Sequence, residues 1–207
     1  MTTATTDYFT FFTLPRKLHL DTTALEKNFY TLSRKLHPDR FASKPLAEQE
    51  AALAQSSLLN DAYRTLKDPI LRTQYLLKQE GVELEEQSKA ATEAARTTGV
   101  EKKQIVPPEL LEEVFELNMQ LAEMRAAKKM GEDEPELRRD LMTAKDAFDA
   151  RMVETQAELV SLWSAWDTAL DAADQPALDA AKEKMVALLN KRNYLRNLVR
   201  DVNEALE

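Results

Sequence analysis

Only three of the 207 residues are glycine, and this scarcity limits the folds that the chain can adopt. β-Sandwiches, β-barrels and phosphate-binding loops need glycine wherever the backbone turns tightly or takes a positive φ angle. Apolar residues instead recur every three or four positions over long stretches, which is the period of an amphipathic α-helix. No stretch of the sequence shows a competing strand pattern. The sequence therefore predicts an all-α protein.

The net charge and the residue types present argue against several classes of function. With 28 Lys and Arg against 36 Asp and Glu, the formal net charge is −8, which argues against general binding to nucleic acid. The absence of cysteine excludes disulfides, thiol catalysis and cysteine metal sites. His19 and His37 are the only histidines, so a zinc site would lack its usual ligands. We therefore expect no metal and no cofactor, and no group of residues indicates an enzyme.

Charge is distributed unevenly along the chain. Residues 1–80 contain 11 Lys and Arg and 9 Asp and Glu, whereas residues 81–207 contain 17 and 27. This asymmetry indicates two modules with different partners. The longest apolar run, Met185 to Leu189, is far shorter than the roughly 20 residues of a membrane span, and the N-terminus lacks the features of a signal or transit peptide. We expect a soluble cytoplasmic protein that does not bind membranes.

The first long helix is predicted to begin after Asp21 and to end before Pro38, which disfavours helical geometry at the residue before it. Thr23 is the expected N-cap, with Glu26 completing a capping box. The core-facing stripe consists of four apolar residues, namely Leu25, Phe29, Leu32 and Leu36. The opposite face carries cationic and aromatic residues, namely Lys27, Tyr30 and Arg34.

Further helices are expected from Leu46 to Leu66 and from Ile70 to Gln79, separated by a break at Asp68-Pro69. Three longer helical patterns follow Pro107-Pro108, and a three-helix bundle would bury their apolar stripes, with Phe148, Trp163 and Trp166 in the core. Short breaks between these patterns make neighbouring helices antiparallel. We predict an N-terminal module at residues 1–82, a linker at residues 83–108 and a C-terminal three-helix bundle at residues 109–207.

The tripeptide His37-Pro38-Asp39 stands directly after the helix with the cationic face. Downstream, the spacing N-x-A-Y-x-x-L-x-D-P-x-x-R-x-x-Y is formed by Asn60, Ala62, Tyr63, Leu66, Asp68, Pro69, Arg72 and Tyr75. Together these features resemble the J domain, in which an HPD tripeptide lies between two antiparallel helices. The resemblance implies an N-terminal J domain that stimulates ATP hydrolysis by DnaK-type chaperones.

The J-domain resemblance assigns chaperone binding to the tripeptide and the cations around it, namely His37, Pro38, Asp39, Lys27, Arg34, Lys35 and Arg40. Asp39 would pair with an arginine of the chaperone, Pro38 would fix the loop, and His37 would hold it by a hydrogen bond or by packing. The cations would steer the module towards an acidic partner. In the alternative interpretation, the tripeptide is an ordinary helix end and the cationic face is merely solvated. A catalytic His-Asp pair would lack a nucleophile, a second base and a metal cluster.

Several short segments resemble one J-domain family, HscB (Hsc20), the co-chaperones of iron–sulfur cluster assembly. These segments are Asp7-Tyr8-Phe9-Thr10, His37 to Ser43, Ala47-Glu48-Gln49 and Arg72 to Leu77. A J domain, a linker and a helical bundle in this order are also typical of that family. The chain departs from the family in its longer linker and in Arg40, where lysine is common. Arginine keeps the positive charge, although the two residues are not equivalent.

The first bundle helix carries more apolar surface than a three-helix bundle needs. Beside its core stripe lies a second apolar set next to Glu112 and Glu116, and the last helix repeats the feature. In the HscB family, an apolar patch on these two helices binds the iron–sulfur scaffold protein. The resemblance therefore assigns scaffold binding to Leu111, Phe115, Glu116, Met119, Tyr194 and Leu198. The alternative is a wide buried face with no partner.

The expected function is that of a non-catalytic co-chaperone. The protein would bind an IscU-like scaffold protein, deliver it to a specialised HscA-like chaperone of the DnaK type and stimulate that chaperone's ATPase. One alternative is a J-domain co-chaperone for a different client, with the bundle as a general adaptor. The other is a purely structural helical adaptor whose HPD tripeptide is accidental.

Overall fold

The computed structural model describes residues 7–82 and 106–207, and every regular element in these ranges is helical, as the sequence predicts. The α-helices are α1 (Tyr8–Phe11), α2 (Thr22–Leu36), α3 (Leu46–Lys67), α4 (Pro69–Gln79), α5 (Leu111–Met130), α6 (Pro135–Asp171) and α7 (Gln175–Leu206). Two short 3-10 helices cover Pro38–Phe41 and Pro108–Leu110. The predicted linker lies outside the described residues except for positions 106–108.

Contacts among the described residues form two units. The first unit contains residues 7–82 together with residues 160–183, and the second contains residues 106–159 together with residues 184–207. Helices α6 and α7 therefore contribute residues to both units.

In the first unit, α2 and α3 form an antiparallel hairpin. Glu26, in the first turns of α2, contacts Tyr63 and Lys67 near the end of α3. The rings of Phe29 and Tyr63 stack with their centroids 4.1 Å apart, and Leu25 is buried on the same face of α2. This packing confirms the predicted core-facing side of α2.

The start of α2 differs from the predicted capping box. Asp21 is the N-cap, and its carboxylate accepts hydrogen bonds from Thr23 N and Ala24 N at 2.9 and 3.0 Å. Glu26 instead accepts a hydrogen bond from the Tyr63 hydroxyl at 3.1 Å. The predicted capping box is wrong because aspartate is the stronger N-cap and because a contact with α3 engages Glu26.

The predicted break at Asp68-Pro69 is confirmed. Asp68 is the N-cap of α4, and its carboxylate accepts a hydrogen bond from Leu71 N at 2.8 Å. Pro69 occupies the first helical position, where the N–H that proline lacks would have no intrahelical partner. The chain can therefore turn between α3 and α4 without leaving a backbone donor unpaired at Pro69.

The second unit is a three-helix bundle made by α5, the N-terminal part of α6 and the C-terminal part of α7. Its core contains Leu110, Val114, Leu117, Leu121, Met124, Leu137, Leu141, Phe148, Tyr194, Leu195, Leu198, Val202 and Ala205. Near the start of α6, Arg138 Nη1 donates to the carbonyl of Leu206 at the end of α7, at 3.0 Å. Arg151, further along α6, pairs with Glu113 in the first turn of α5 at 2.6 Å. Neighbouring helices are thus antiparallel, as the short breaks predict.

The described ranges were also compared with the requirements of a membrane-spanning helix and of a metal site. None of the helices there combines the length and the apolar character needed to cross a membrane. No group of three or more His, Asp or Glu side chains in the same ranges is placed to hold a metal ion.

Candidate functional site

The His37-Pro38-Asp39 tripeptide forms a turn at the end of α2. His37 leaves the helix with extended backbone angles (φ −60°, ψ 127°), because a residue before proline avoids helical geometry. Pro38 then opens a 3-10 helix, and His37 caps that helix by accepting a hydrogen bond from Asp39 N on Nδ1 at 3.3 Å. The histidine ring therefore holds the loop in shape.

Asp39 presents its carboxylate to solvent. Its side chain is 89% exposed, and one carboxylate oxygen lies 3.5 Å from His37 Nδ1. Within the described part of the chain, this carboxylate accepts no other hydrogen bond and pairs with no Lys or Arg. It is therefore available to a cation on another molecule.

Side chains on both sides of the loop hold its backbone. Arg40 Nη1 donates to the carbonyl of Arg34 in the last turn of α2, at 3.4 Å. Gln49 Nε2 donates to the carbonyls of Lys44 and Ala42 at 2.8 and 3.3 Å, which ties the following segment to α3. None of these bonds involves the Asp39 side chain, so the loop keeps its shape independently of that carboxylate.

The cationic face of α2 leads to this loop. Lys27, Tyr30 and Arg34 are exposed, as predicted, and line a shallow groove of about 460 Å³. Lys27 and Arg34 are seven residues apart, which is close to two helical turns, and therefore share a face. Lys35 is exposed but lies about 100° around the helix from Arg34. The structure thus places Lys27 and Arg34 on one face and Lys35 on its flank.

The Tyr75 of the J-domain signature holds α1 against α4. Its hydroxyl accepts a hydrogen bond from Tyr8 N at 2.9 Å and donates to Asp7 Oδ1 at 3.1 Å. Its ring stacks on that of Tyr8 with the centroids 4.4 Å apart. Burial raises the pKa of Tyr75 to about 12, so the hydroxyl keeps its proton at neutral pH and continues to donate. Contacts with Tyr75 on α4 therefore account for the residues Asp7 and Tyr8 at the start of this segment.

Sequence reasoning missed the role of Asp167, near the end of α6. Its carboxylate accepts hydrogen bonds from Leu18 N at 2.8 Å and His19 N at 3.0 Å, just before α2. One turn further along α6, Asp171 pairs with Lys17 at 2.6 Å. The four-residue spacing of the two aspartates on α6 is the only sequence signal of this contact, and it does not reveal the partner.

Trp163, one turn before Asp167, contacts the signature residue Arg72. Trp163 and Trp166 are buried, as predicted, and the indole N–H of Trp163 donates to Thr73 Oγ1 at 3.1 Å. The guanidinium carbon of Arg72 lies 4.4 Å from the centre of the Trp163 ring, while Arg72 Nη1 donates to the Leu66 carbonyl at 2.7 Å. Arg72 thus joins the corner between α3 and α4 to α6.

The outer face of α5 carries large exposed apolar side chains. Leu111, Phe115 and Met119 are 55%, 69% and 60% exposed, and each follows the previous one after four residues. Glu112 and Glu116 are exposed beside them. On this helix, the second apolar set is therefore a surface that the bundle leaves uncovered.

Unlike the exposed residues of α5, the two candidate residues of the last helix, α7, are buried. Tyr194 and Leu198 are each 6% exposed and belong to the bundle core. Burial also raises the pKa of Tyr194. The expectation of an exposed apolar patch on this helix is wrong, because both side chains pack into the bundle core. A wide buried face, the alternative interpretation, describes α7.

Truncation of Tyr194 is therefore expected to affect stability first. Tyr194→Ala should lower the free energy of unfolding by about 3 kcal/mol, because it removes a buried ring and leaves a cavity. Tyr194→Phe, which keeps the ring, is the matched control and should change it by less than about 1 kcal/mol. Urea unfolding followed by far-UV circular dichroism measures both values. Equal stability of the alanine variant and the unaltered protein would show that the ring does not support the core.

Comparison with known proteins agrees with this geometry. A family model described as the DnaJ domain matches residues 7–75. The crystal structure of the human co-chaperone protein HscB is 24% identical, with a TM-score of 0.61 and coverage of 97% of this chain and 82% of that one. The chaperone HscB from Vibrio cholerae is 26% identical, with a TM-score of 0.55 and coverage of 97% of this chain and 99% of that one. Residues 7–75 therefore match the DnaJ domain, and the fold of the chain is similar to that of these two HscB structures.

Proposed function

We propose that this protein is a co-chaperone of iron–sulfur protein maturation in the cytoplasm. It binds an IscU-like scaffold protein through the second unit and delivers it to an HscA-like chaperone of the DnaK type, whose ATPase its J domain stimulates. The observation that carries the proposal is the exposed carboxylate of Asp39, held on a hydrogen-bonded loop beside the cationic face of α2 in a DnaJ domain.

The chaperone-binding surface combines steering with a directional contact. Lys27 and Arg34 provide positive charge that attracts an acidic partner and speeds encounter. Asp39 then accepts from an arginine of the chaperone, in a charge-assisted pair. The hydrogen bonds of His37 and Arg40 support this contact because they fix the backbone on both sides of Asp39.

The scaffold-binding surface is the outer face of α5. Leu111, Phe115 and Met119 form a contiguous apolar stripe, and exposed stripes of this kind mark sites of protein association. Glu116 flanks the stripe and favours a partner that carries positive charge beside an apolar surface. Tyr194 and Leu198 lie in the core, where they support the bundle, so of the six candidate residues direct contact is proposed only for those on α5.

A J-domain co-chaperone for a different client is the second candidate. The burial of Tyr194 and Leu198 favours it, since two of the six residues assigned to scaffold binding are inaccessible. In that case, the α5 stripe would bind another apolar protein surface, while the J domain would act on the chaperone in the same way.

Steady-state ATPase measurements distinguish the two candidates. We expect the HscA-like chaperone to respond far more strongly to this protein and the scaffold together than to either alone. Stimulation that the scaffold does not change would support the second candidate. Absence of any response from the chaperone would contradict the assignment of the HPD loop to chaperone activation.

A further inference from the structure

A cavity of about 540 Å³ lies in the second unit, between the turn before α5, α6 and α7. Its volume falls in the range of sites that bind small ligands, about 300–1,000 Å³. The residues that matter for its chemistry are Pro107, Pro108, Leu188, Asn190, Asn193 and Tyr194. The walls thus combine apolar surface with two side-chain amides from one helix, and three charged residues also line them, namely Glu109, Glu158 and Lys191.

The two asparagines lack hydrogen-bond partners in the described part of the chain. Asn193 is 7% exposed, and no donor or acceptor there pairs with its amide. The Oδ1 atom of Asn190 is fully buried and also unpaired. These residues are three positions apart on α7 and therefore share a face. Burying an unpaired amide costs free energy, so Asn193, which lines the cavity, offers a polar group that a bound molecule can satisfy.

The charges around the cavity favour an uncharged ligand. Lys191 and Glu109 both line it and pair with each other at 3.2 Å. Hydrogen bonds from its own backbone N–H and from Lys191 keep the pKa of Glu109 below its usual value, so this carboxylate stays ionised at neutral pH. Glu158 on α6 also lines the cavity and has an interaction of its own. No free charge of these three residues is left for an ionic ligand.

We propose that this cavity binds a segment of extended polypeptide, contributed by the protein that docks on α5. An extended segment has backbone N–H and C=O groups without internal partners, and a carboxamide can both donate to and accept from them. Pro107 and Leu188 provide apolar contacts for the side chains of the segment.

The cavity adjoins the α5 stripe along the chain, and this position indicates which protein contributes the segment. Pro108 and Glu109 line the cavity, and Leu111 of the exposed α5 stripe follows them within three residues. A partner that covers the stripe therefore meets the cavity at the start of α5. The inference rests on the proposed function in this respect, since the partner is the scaffold protein.

The variant Asn193→Leu separates binding from stability. Leucine has a similar size but no polar group, so the free protein should unfold at the same temperature or a higher one, because an unpaired buried amide is removed. The affinity for the scaffold protein, measured by calorimetry, should fall about tenfold, as expected when one buried hydrogen-bonding group loses its partner. Asn203→Leu, an exposed position on the same helix, is the matched control and should change neither value.

A blocked alanine tripeptide tests the cavity without the scaffold protein. At millimolar concentration, N-acetyl-trialanine N-methylamide should shift the side-chain amide NMR signals of Asn190 and Asn193, and Asn193→Leu should abolish the shift at Asn190. Unshifted signals together with unchanged scaffold affinity would overturn the proposal and leave a cavity that holds only water. A lower unfolding temperature of Asn193→Leu would also overturn it, because Asn193 would then be structural. Shifts by the tripeptide without any scaffold binding would support the cavity and contradict the proposed function.

Discussion

Asp39→Asn is expected to abolish the stimulation of the chaperone's ATPase and to leave the fold unchanged. The carboxylate is 89% exposed and supports no backbone hydrogen bond, so its loss costs the protein little stability. The amide that replaces it carries no charge and cannot form an ion pair with a chaperone arginine. Hydrogen bonds to charged groups contribute about 1.5–3 kcal/mol, which corresponds to a loss of roughly 10- to 150-fold in affinity. Phosphate release at a fixed concentration of the variant measures the effect.

The control for this substitution is Glu50→Gln, which neutralises an exposed carboxylate on α3. It should stimulate the ATPase as the unaltered protein does, and both variants should bind the scaffold protein with unchanged affinity. Equal loss of stimulation and of scaffold binding in a folded Asp39→Asn protein would contradict the division of the two activities between the two units. Full stimulation by Asp39→Asn would move the chaperone contact away from the HPD loop.

Phe115→Ala is expected to weaken binding of the scaffold protein by about 1–2 kcal/mol, or roughly 5- to 30-fold in affinity. Phe115 is the most exposed of the three apolar residues of the α5 stripe and lies at its centre. Its truncation removes contact area from the proposed binding surface but leaves no cavity in the core. Calorimetric titration with the scaffold protein measures the affinity, and thermal unfolding should show no change.

Val153→Ala is the matched control for Phe115→Ala. Val153 lies on α6, is 71% exposed and is apolar, but it does not belong to the α5 stripe. We expect it to bind the scaffold protein normally. The Phe115→Ala protein should still stimulate the chaperone alone, whereas the additional effect of the scaffold should be reduced at subsaturating concentrations. Unchanged affinity would place the scaffold contact on another surface.

Helix positions could be predicted from local features. Pro38 and Pro69 limit helices because of covalent geometry that no distant contact alters, and both act as the sequence predicts. The apolar period likewise identified the buried faces of α2 and α5. The prediction of a capping box was wrong for a non-local reason as well as a local one. Glu26 accepts a hydrogen bond from Tyr63, which lies 37 residues away in the sequence.

Of the candidate site residues, those in the HPD loop lie where the sequence places them, because the loop is built from short-range hydrogen bonds. The bundle residues could not be predicted equally well. Periodicity assigns apolar residues to the faces of a helix, but it does not say which faces the neighbouring helices cover. Phe115 on α5 is exposed, whereas Tyr194 on α7 is buried, although both belong to a second apolar stripe.

The sequence alone therefore determined the all-α class, the limits of the helices and the identity of the HPD loop, because each depends on residues close together in the chain. Tertiary structure decided which apolar stripe stays exposed, that Asp167 holds the backbone before α2, and that Asn193 lies in a cavity without a partner. These properties depend on segments more than a hundred residues apart or on the packing of three helices. Local preferences carry no information about such contacts.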